Sequence, residues 1–145
     1  MYVKQISVYL ENVKGSLREL VELLGTGGVN LLALSVADTA GFGIIRLIVK
    51  STDLEKAQSV LREGGCVARV NDVVCVRIPH RPLGLARVLQ VLEERDISVE
   101  YSYSFCRSTL DDAVLILRPS DGDAALEALK AAGVTLVEQS QVDEF

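Results

Sequence analysis

Hydrophobic positions along the chain follow the same order of patterns twice. Each half of the chain begins with a strand-like run, which is Lys4–Leu10 in the first half and Val73–Ile78 in the second. A stretch with apolar residues at i, i+3, i+4 and i+7 comes next, and this spacing predicts an amphipathic helix. Its positions are Leu17, Leu20, Val21 and Leu24 in the first half and Leu85, Val88, Leu89 and Leu92 in the second.

The rest of each half predicts two strands, a helix and a short last strand, so each half has the order βαββαβ. Glycines end the second helix in both halves, at Gly64-Gly65 and at Gly133, which is a common stop signal. These elements are predicted at Val29–Ala37, Gly43–Lys50, Asp53–Glu63 and Cys66–Val70 in the first half, and at Ile97–Phe105, Ala113–Arg118, Asp121–Ala132 and Val134–Glu138 in the second.

The two halves are copies of one unit at a fixed spacing. Four strands with two helices on one face form an α+β sandwich of the ferredoxin-like type. We therefore predict two tandem ferredoxin-like sandwiches with antiparallel sheets, at residues 1–70 and 71–138, and a C-terminal tail at 139–145. Units of this size bury a thin core and only Asn71-Asp72 separates them, so the sandwiches are expected to pack together. The repeat rests on Leu17, Leu24, Ala57, Leu61 and Gly65, which recur 68 residues later as Leu85, Leu92, Ala125, Leu129 and Gly133.

The composition narrows the class of protein. With 20 acidic and 15 basic residues the net charge is −5 and the pI is about 4.9, which disfavours nucleic acid and anionic membranes as partners. No apolar run reaches the ~18 residues of a transmembrane helix, and the N-terminus lacks the pattern of a signal peptide. The cysteines, Cys66, Cys75 and Cys106, match no zinc pattern or disulfide framework, so we expect a cytoplasmic protein without metal or cofactor.

The residues that could carry catalysis do not form a site in the sequence. His80 has no cysteine or aspartate nucleophile nearby, and the acidic pairs Glu93-Glu94 and Asp111-Asp112 are neighbours that face apart. An RNA-recognition module shares the βαββαβ order but needs aromatic residues on its first and third strands, and both third strands lack them. Tyr101 and Tyr103 lie together on a second strand instead. We therefore predict no catalytic residues and no enzyme activity.

The loop between the first strand and the first helix is the candidate binding segment. Backbone N–H groups and the helix dipole at a helix start favour a carboxylate. Gly15 permits close approach of a ligand, and the Asn12 amide can bind a carboxylate or an ammonium group. Asn30, at the start of the second strand, could supply another amide next to it. A structural role is also open, because Ser16 and Glu19 fit a capping box and Asn12 can close a turn.

These segments resemble the ACT domain, the small regulatory module of amino-acid metabolism. The stretch from Ala33 to Val49 is similar to small bacterial proteins made of two ACT domains. The resemblance implies a ferredoxin-like fold, side-by-side pairing of ACT sheets, and an effector amino acid bound where two ACT domains meet. The matching positions are Asn12, Gly15, Leu17, Gly28, Val29 and Asn30 in the first copy and Pro82, Leu85 and Ile97 in the second.

The resemblance also implies site residues. Asn12 and Asn30 match the two asparagines that hold serine in the ACT domain of phosphoglycerate dehydrogenase. Lys14 replaces a proline of the family pattern, and Leu83 replaces its glycine in the second copy, where the neighbouring Gly84 could compensate. His80 and Ser98 stand there in place of the two asparagines. The candidate ligand-binding residues are Asn12, Val13, Lys14, Gly15, Ser16, Leu17, Asn30 and Leu31, with His80, Pro82, Gly84, Leu85 and Ser98 in the second copy.

The function that the resemblance implies is regulatory. We predict a non-enzymatic protein, expected to be a homodimer, that binds a small amino acid between ACT domains and signals its level. The alternative is a regulatory subunit of an enzyme of amino-acid metabolism, such as acetolactate synthase, that acts by protein–protein contact without its own ligand.

Overall fold

The computed structural model describes residues 1–11, 13–39, 41–106 and 112–145. The chain divides into two compact units. The N-terminal unit comprises Lys4–Asn71, and the C-terminal unit comprises Asp72–Phe145 together with Met1–Val3. Each unit is an antiparallel sheet with two helices packed on it, so the predicted pair of ferredoxin-like α+β folds is confirmed.

The N-terminal unit places β3 between two antiparallel neighbours, β1 and β2. The register aligns Ile6 of β1 with Leu47 of β3, and Leu47 with Leu34 of β2. Apolar residues alternate along these strands, so one face of the sheet meets the apolar stripes of the two helices. The elements are β1 (Val3–Glu11), α1 (Ser16–Thr26), β2 (Ala33–Thr39), β3 (Phe42–Ile48) and α2 (Leu54–Glu63), and the buried core comprises Ile6, Val8, Leu20, Leu24, Val29, Ile45, Leu47, Val49, Ala57 and Leu61.

The C-terminal unit repeats this plan. β4 pairs antiparallel with β6 and with the short β7, and β6 pairs on its other side with β5. The strand β4 (Val67–Pro79) is shared, because residues 67–71 belong to the N-terminal unit and residues 72–79 to the C-terminal unit. The other elements are α3 (Gly84–Glu93), β5 (Val99–Ser104), β6 (Asp112–Pro119), α4 (Gly122–Ala131), β7 (Thr135–Leu136) and α5 (Gln139–Val142), and the buried core comprises Val74, Val76, Ile78, Val88, Leu92, Ile97, Leu117, Ala125, Leu126 and Leu129.

The 68-residue repeat of the sequence is a repeat of core positions. Leu24 and Leu92 are both buried, as are the pairs Ala57/Ala125 and Leu61/Leu129. The exits of α1 and α3 also match, because the N–H of Val29 donates to the Leu24 carbonyl and the N–H of Ile97 donates to the Leu92 carbonyl. The same apolar pattern therefore builds the same helix-on-sheet packing in each unit.

The predicted strand limits are wrong at three places. Asn71-Asp72 does not separate two strands, because both residues lie inside the continuous strand β4. The second strand of each copy begins later than predicted, at Ala33 and at Val99, since the residues just before them form the helix exit. The apolar character of Val29 and Ile97 reflects burial against the helices and not membership of a strand.

The C-terminal residues 139–145 are folded onto the C-terminal unit. Glu138 and Gln141 form a reciprocal capping box at the start of α5, and Val142 is fully buried. The ring of Phe145 meets the ring of Phe105 edge-on, with centroids 5.1 Å apart. Apolar packing of Val142 and Phe145 therefore fixes this end of the chain.

Candidate functional site

The entry loop of α1, defined as residues 13–17, is built around a left-handed residue. Gly15 has φ +91° and stands at the N-cap of α1, where its carbonyl accepts the N–H of Glu19 at 3.0 Å. No side chain among the described residues caps this helix, so the alternative of a Ser16–Glu19 capping box is wrong. In contrast, the Asp121 carboxylate caps α4 by accepting the N–H of Ala124.

The surroundings of this loop are open and partly apolar. Val13 is 59% exposed and Leu17 is 40% exposed. Val21, one turn further along the same face of α1, is exposed to a similar degree. Arg18 is engaged with Glu22, its i+4 neighbour on the outer face of α1. Lys14 is exposed and forms no ion pair with a side chain that the structure describes. Asn12, the first of the candidate residues, lies outside the described part of the chain.

Asn30 and Leu31 lie at the other end of α1. The helix ends at Thr26, and the chain turns through Gly28, whose carbonyl accepts the Nζ of Lys56 at 3.1 Å. An 11-residue helix is about 16 Å long. The expectation that Asn30 supplies an amide next to the entry loop is therefore wrong within one unit.

The entry loop of α3, residues 80–83, has the same backbone with different residues. Leu83 occupies the N-cap with φ +67° and ψ −1°, and its side chain is 80% exposed. A leucine in the left-handed region costs of order 1–3 kcal/mol. Gly84 does not compensate, because it is the first helical residue and serves close packing instead. A Cβ atom there would lie 2.6 Å from the Pro79 carbonyl oxygen.

The second-copy candidates are also divided between the two ends of a helix. His80, Pro82 and Leu85 are exposed near the start of α3. Ser98 follows the end of α3, where its N–H donates to the Ser120 hydroxyl at 3.1 Å and its carbonyl accepts the Ser120 N–H. Ser98 therefore has a structural partner and lies apart from the other candidates.

A cleft of about 730 Å³ opens beside the entry loop of α3. Its walls come from the end of β4, the first turns of α3 and the connection between α4 and β7. Pro82 and Gly84 are the predicted residues that line it. Sequence reasoning missed the arginines of this cleft, Arg77, Arg81 and Arg87, although Arg81 and Arg87 stand 68 residues after Val13 and Glu19. A comparison of charges between the two copies would have found them.

The cysteine and tyrosine groups with altered acidity have structural roles. Burial raises the pKa of the Cys75 thiol to about 12 and also raises the pKa of Cys66, so neither thiol is poised as a nucleophile. The hydrogen bond from the Tyr2 hydroxyl to the Asp123 carboxylate, 2.5 Å long, is the main cause that raises the pKa of Tyr2 to about 12. Within the described residues no group of three or more potential metal ligands is found, and none of the helices there is long and apolar enough to cross a membrane.

The model of the ACT domain pair family matches residues 1–145 of the chain. The chain belongs to this family. Its fold is that of protein BT0572 from Bacteroides thetaiotaomicron, with a TM-score of 0.90 at 36% identity over 100% of this chain and 98% of that one. The ACT pair is a regulatory module and not a catalytic domain.

More distant solved structures share the fold. The regulatory subunit of aspartate kinase from Thermus thermophilus, in its ligand-free form, has a TM-score of 0.65 at 18% identity, over 89% of this chain and 91% of that one. The corresponding subunit from Thermus flavus has a TM-score of 0.62 at 16% identity, over 90% and 92% of the two chains. No curated protein matches the chain.

Proposed function

We propose that this ACT domain pair is a non-enzymatic sensor that binds a small amino acid between the ACT domains of two protein chains. The observation that carries the proposal is the position of the candidate residues within a chain of this family. The α1 entry loop with Gly15 lies at one end of α1 and Asn30 lies at the other. One amino acid can therefore use both groups only across an interface.

The entry loop suits the carboxylate of an amino acid. No side chain among the described residues caps the start of α1, so the helix dipole there favours the negative charge of a carboxylate. Glycine at position 15 lets a ligand approach the main chain, and Lys14 adds a positive charge nearby. The amide oxygen of a residue such as Asn30 can accept a hydrogen bond from the ammonium group of the same ligand.

The exposed side of α1 suits contact with a second chain. Leu17 and Val21 form an apolar pair at i, i+4, and Leu85 and Leu89 form the equivalent pair on α3. A two-fold axis that packs α1 antiparallel against α1 of another chain brings Gly15 of one chain to Asn30 of the other. Such a homodimer has two equivalent sites. Ligand binding then stabilises the dimer, and the shift between free and paired chains is the signal.

The test is a thermal-melt screen of the purified protein against the twenty amino acids at millimolar concentration. A ligand at 100 times its Kd stabilises the folded state by ~2.7 kcal/mol, which for a chain of this size raises the Tm by several degrees. A rise with one amino acid or a few related ones supports the sensor. Asn30→Ala should remove the rise, with Ser59→Ala, which changes another exposed polar residue, as the control. No rise with any amino acid contradicts the proposal.

A second candidate function is a regulatory subunit that contacts an enzyme of amino-acid metabolism without binding its own ligand. The exposed apolar side chains favour this role, since Val36 on β2 and Val67 on β4 are more than half exposed in addition to those on α1 and α3. Acetolactate synthase is one such enzyme. Its co-purification with the protein in buffer without amino acids would favour this function over the sensor.

A further inference from the structure

The cleft beside the α3 entry loop concentrates positive charge in an acidic part of the molecule. Residues 72–145 include thirteen acidic and seven basic residues. Three of those seven, Arg77, Arg81 and Arg87, line this one cleft, and its described lining includes no acidic residue. We name it the arginine cleft. Its volume of about 730 Å³ lies within the range of small-molecule sites.

The arginines are available to a ligand. Arg81 and Arg87 are exposed and form no ion pair with any side chain that the structure describes. Arg77 meets Asp112 at 3.6 Å through a single nitrogen, Nη1, so most of its guanidinium donors are not used by this contact. Guanidinium groups bind carboxylate and phosphate oxygens through paired N–H donors.

The first copy provides an internal comparison. Each cleft position has an equivalent 68 residues earlier, and the equivalents of the three arginines are Tyr9, Val13 and Glu19. Gln90 of the cleft corresponds to Glu22, which with Glu19 surrounds Arg18. The same fold therefore does not require positive charge at these positions, and the arginines are a property of the second copy alone.

The strained loop belongs to the same cleft. Leu83 takes the left-handed conformation that the first copy gives to Gly15, and it lies in the cleft wall. Its 80% exposure excludes a compensating burial in the core. Ile78, Val88 and Val134 complete an apolar wall beside the arginines. A non-glycine residue held in this conformation is typical of a site where the loop serves binding.

We propose that the arginine cleft binds a small dianion whose charge is carried by carboxylate or phosphate groups. A dianion balances two guanidinium groups without an ion-pair partner, whereas the ammonium group of a neutral amino acid would be repelled by them. This site differs in position and in ligand class from the proposed amino-acid site. Loss of the amino-acid site would therefore leave dianion binding in the arginine cleft intact.

The test uses isothermal titration of the full chain with succinate, inorganic phosphate and L-alanine at constant ionic strength. Wild-type protein should bind succinate or phosphate, and Arg81→Gln should weaken that binding while leaving any heat with L-alanine unchanged. Tighter binding of succinate assigns a dicarboxylate, and tighter binding of phosphate assigns a phosphorylated ligand. Absence of binding by both dianions overturns the proposal, and so does L-alanine binding that Arg81→Gln weakens as much as it weakens dianion binding.

Substitutions of the cleft arginines test whether the dianion binds in the arginine cleft. Arg81→Gln and Arg87→Gln should each weaken dianion binding by at least about tenfold, because each removes a charge-assisted pair. Arg95→Gln is the matched control, an exposed arginine of the same unit outside the cleft, and should stay within about twofold of wild type. Equal loss in Arg95→Gln, or no loss in the cleft variants, overturns the assignment. Asn30→Ala should leave dianion binding unchanged, which separates this test from that of the sensor.

Discussion

The entry loops of α1 and α3 have the same backbone conformation and different residues. Gly15 and Leu83 both occupy a left-handed N-cap, with ψ −13° and −1°. The helix exits repeat the contrast, because Gly28 has φ +77° where Asp96 has φ +57°. The fold therefore demands these conformations in both copies, and only the first copy meets them with glycine. The second copy places Leu83 and Asp96 in these conformations, and of the two only Leu83 lines the arginine cleft.

The comparison separates what the fold needs from what a site needs. Core positions are equivalent in both copies, as Leu24 and Leu92 are. Positions around the entry loops have diverged in charge, from Val13 and Glu19 to Arg81 and Arg87. The charges at the entry loops therefore differ between the copies, while the core positions have kept their apolar character.

The largest loss of stability is expected from substitutions at core positions that are equivalent in the two copies. Leu24→Ala and Leu92→Ala should each lower the free energy of unfolding by about 2–5 kcal/mol, since both side chains are fully buried and leave a cavity. Urea denaturation measures the loss for each variant. A loss below about 1 kcal/mol at only one of the two positions would show that the cores are not equivalent.

A substitution at the first helical residue should affect the stability of the two copies differently. Gly84→Ala puts a Cβ atom 2.6 Å from the Pro79 carbonyl oxygen, so the loop must shift at a cost of about 1–3 kcal/mol. The equivalent residue, Ser16, already carries a Cβ atom, and its side chain does not cap α1. Ser16→Ala is therefore the matched control and should change stability by less than about 0.5 kcal/mol. Equal effects of the two substitutions on Tm would contradict the close approach.

Substitutions of the two N-cap residues, Leu83 and Gly15, test the backbone strain directly. Leu83→Gly should stabilise the protein by about 0.5–1 kcal/mol, because the left-handed conformation costs glycine nothing and Leu83 buries little surface. Gly15→Ala should destabilise it by about 1 kcal/mol for the opposite reason. Denaturant midpoints measure both changes. Destabilisation by Leu83→Gly would mean that the leucine side chain contributes packing that outweighs the strain.

The smallest change in stability is expected from a hydrogen bond that only the C-terminal unit has. Asp123 accepts the Tyr2 hydroxyl there, whereas Glu55 is its equivalent in the first copy. The pKa of folded Tyr2 is raised to about 12 from 10.0, so the bond stabilises the fold fully below pH 10 and this contribution is lost as pH rises toward 12.

Tyr2→Phe should therefore cost about 0.5 kcal/mol at neutral pH, a value reduced by the exposure of the pair. The difference from wild type should shrink above about pH 10. Thermal melts of both proteins from pH 8 upward measure it. A difference that grows with pH would reverse the sign and contradict the role of Asp123.

The sequence predicted the fold because core periodicity is local and repeated. The spacing of Leu17 to Leu24 and its recurrence at Leu85 to Leu92 identified helices that the structure confirms. The two units do divide between Asn71 and Asp72, but the pair is not a linker, because these polar residues lie inside the continuous strand β4.

The site was harder to predict because its residues meet only in three dimensions. Asn30 follows the entry loop by one helix in sequence, yet this helix separates the two in space. The arginine cleft combines β4, an entry loop, α3 and the connection after α4, and only the topology brings these segments together. A chain of this kind reveals such a cluster only when its two copies are compared position by position.

If one amino acid is bound by Asn12 and the entry loop of one chain and by Asn30 of another, two inactive variants should complement each other. Asn12→Ala and Asn30→Ala variants, each inactive alone, can be co-expressed and titrated with the amino acid found in the thermal screen. Each mixed dimer then contains one intact site, so random pairing should restore about a quarter of the wild-type sites at wild-type affinity. A mixture that binds no ligand, while both variants remain folded, would contradict the claim.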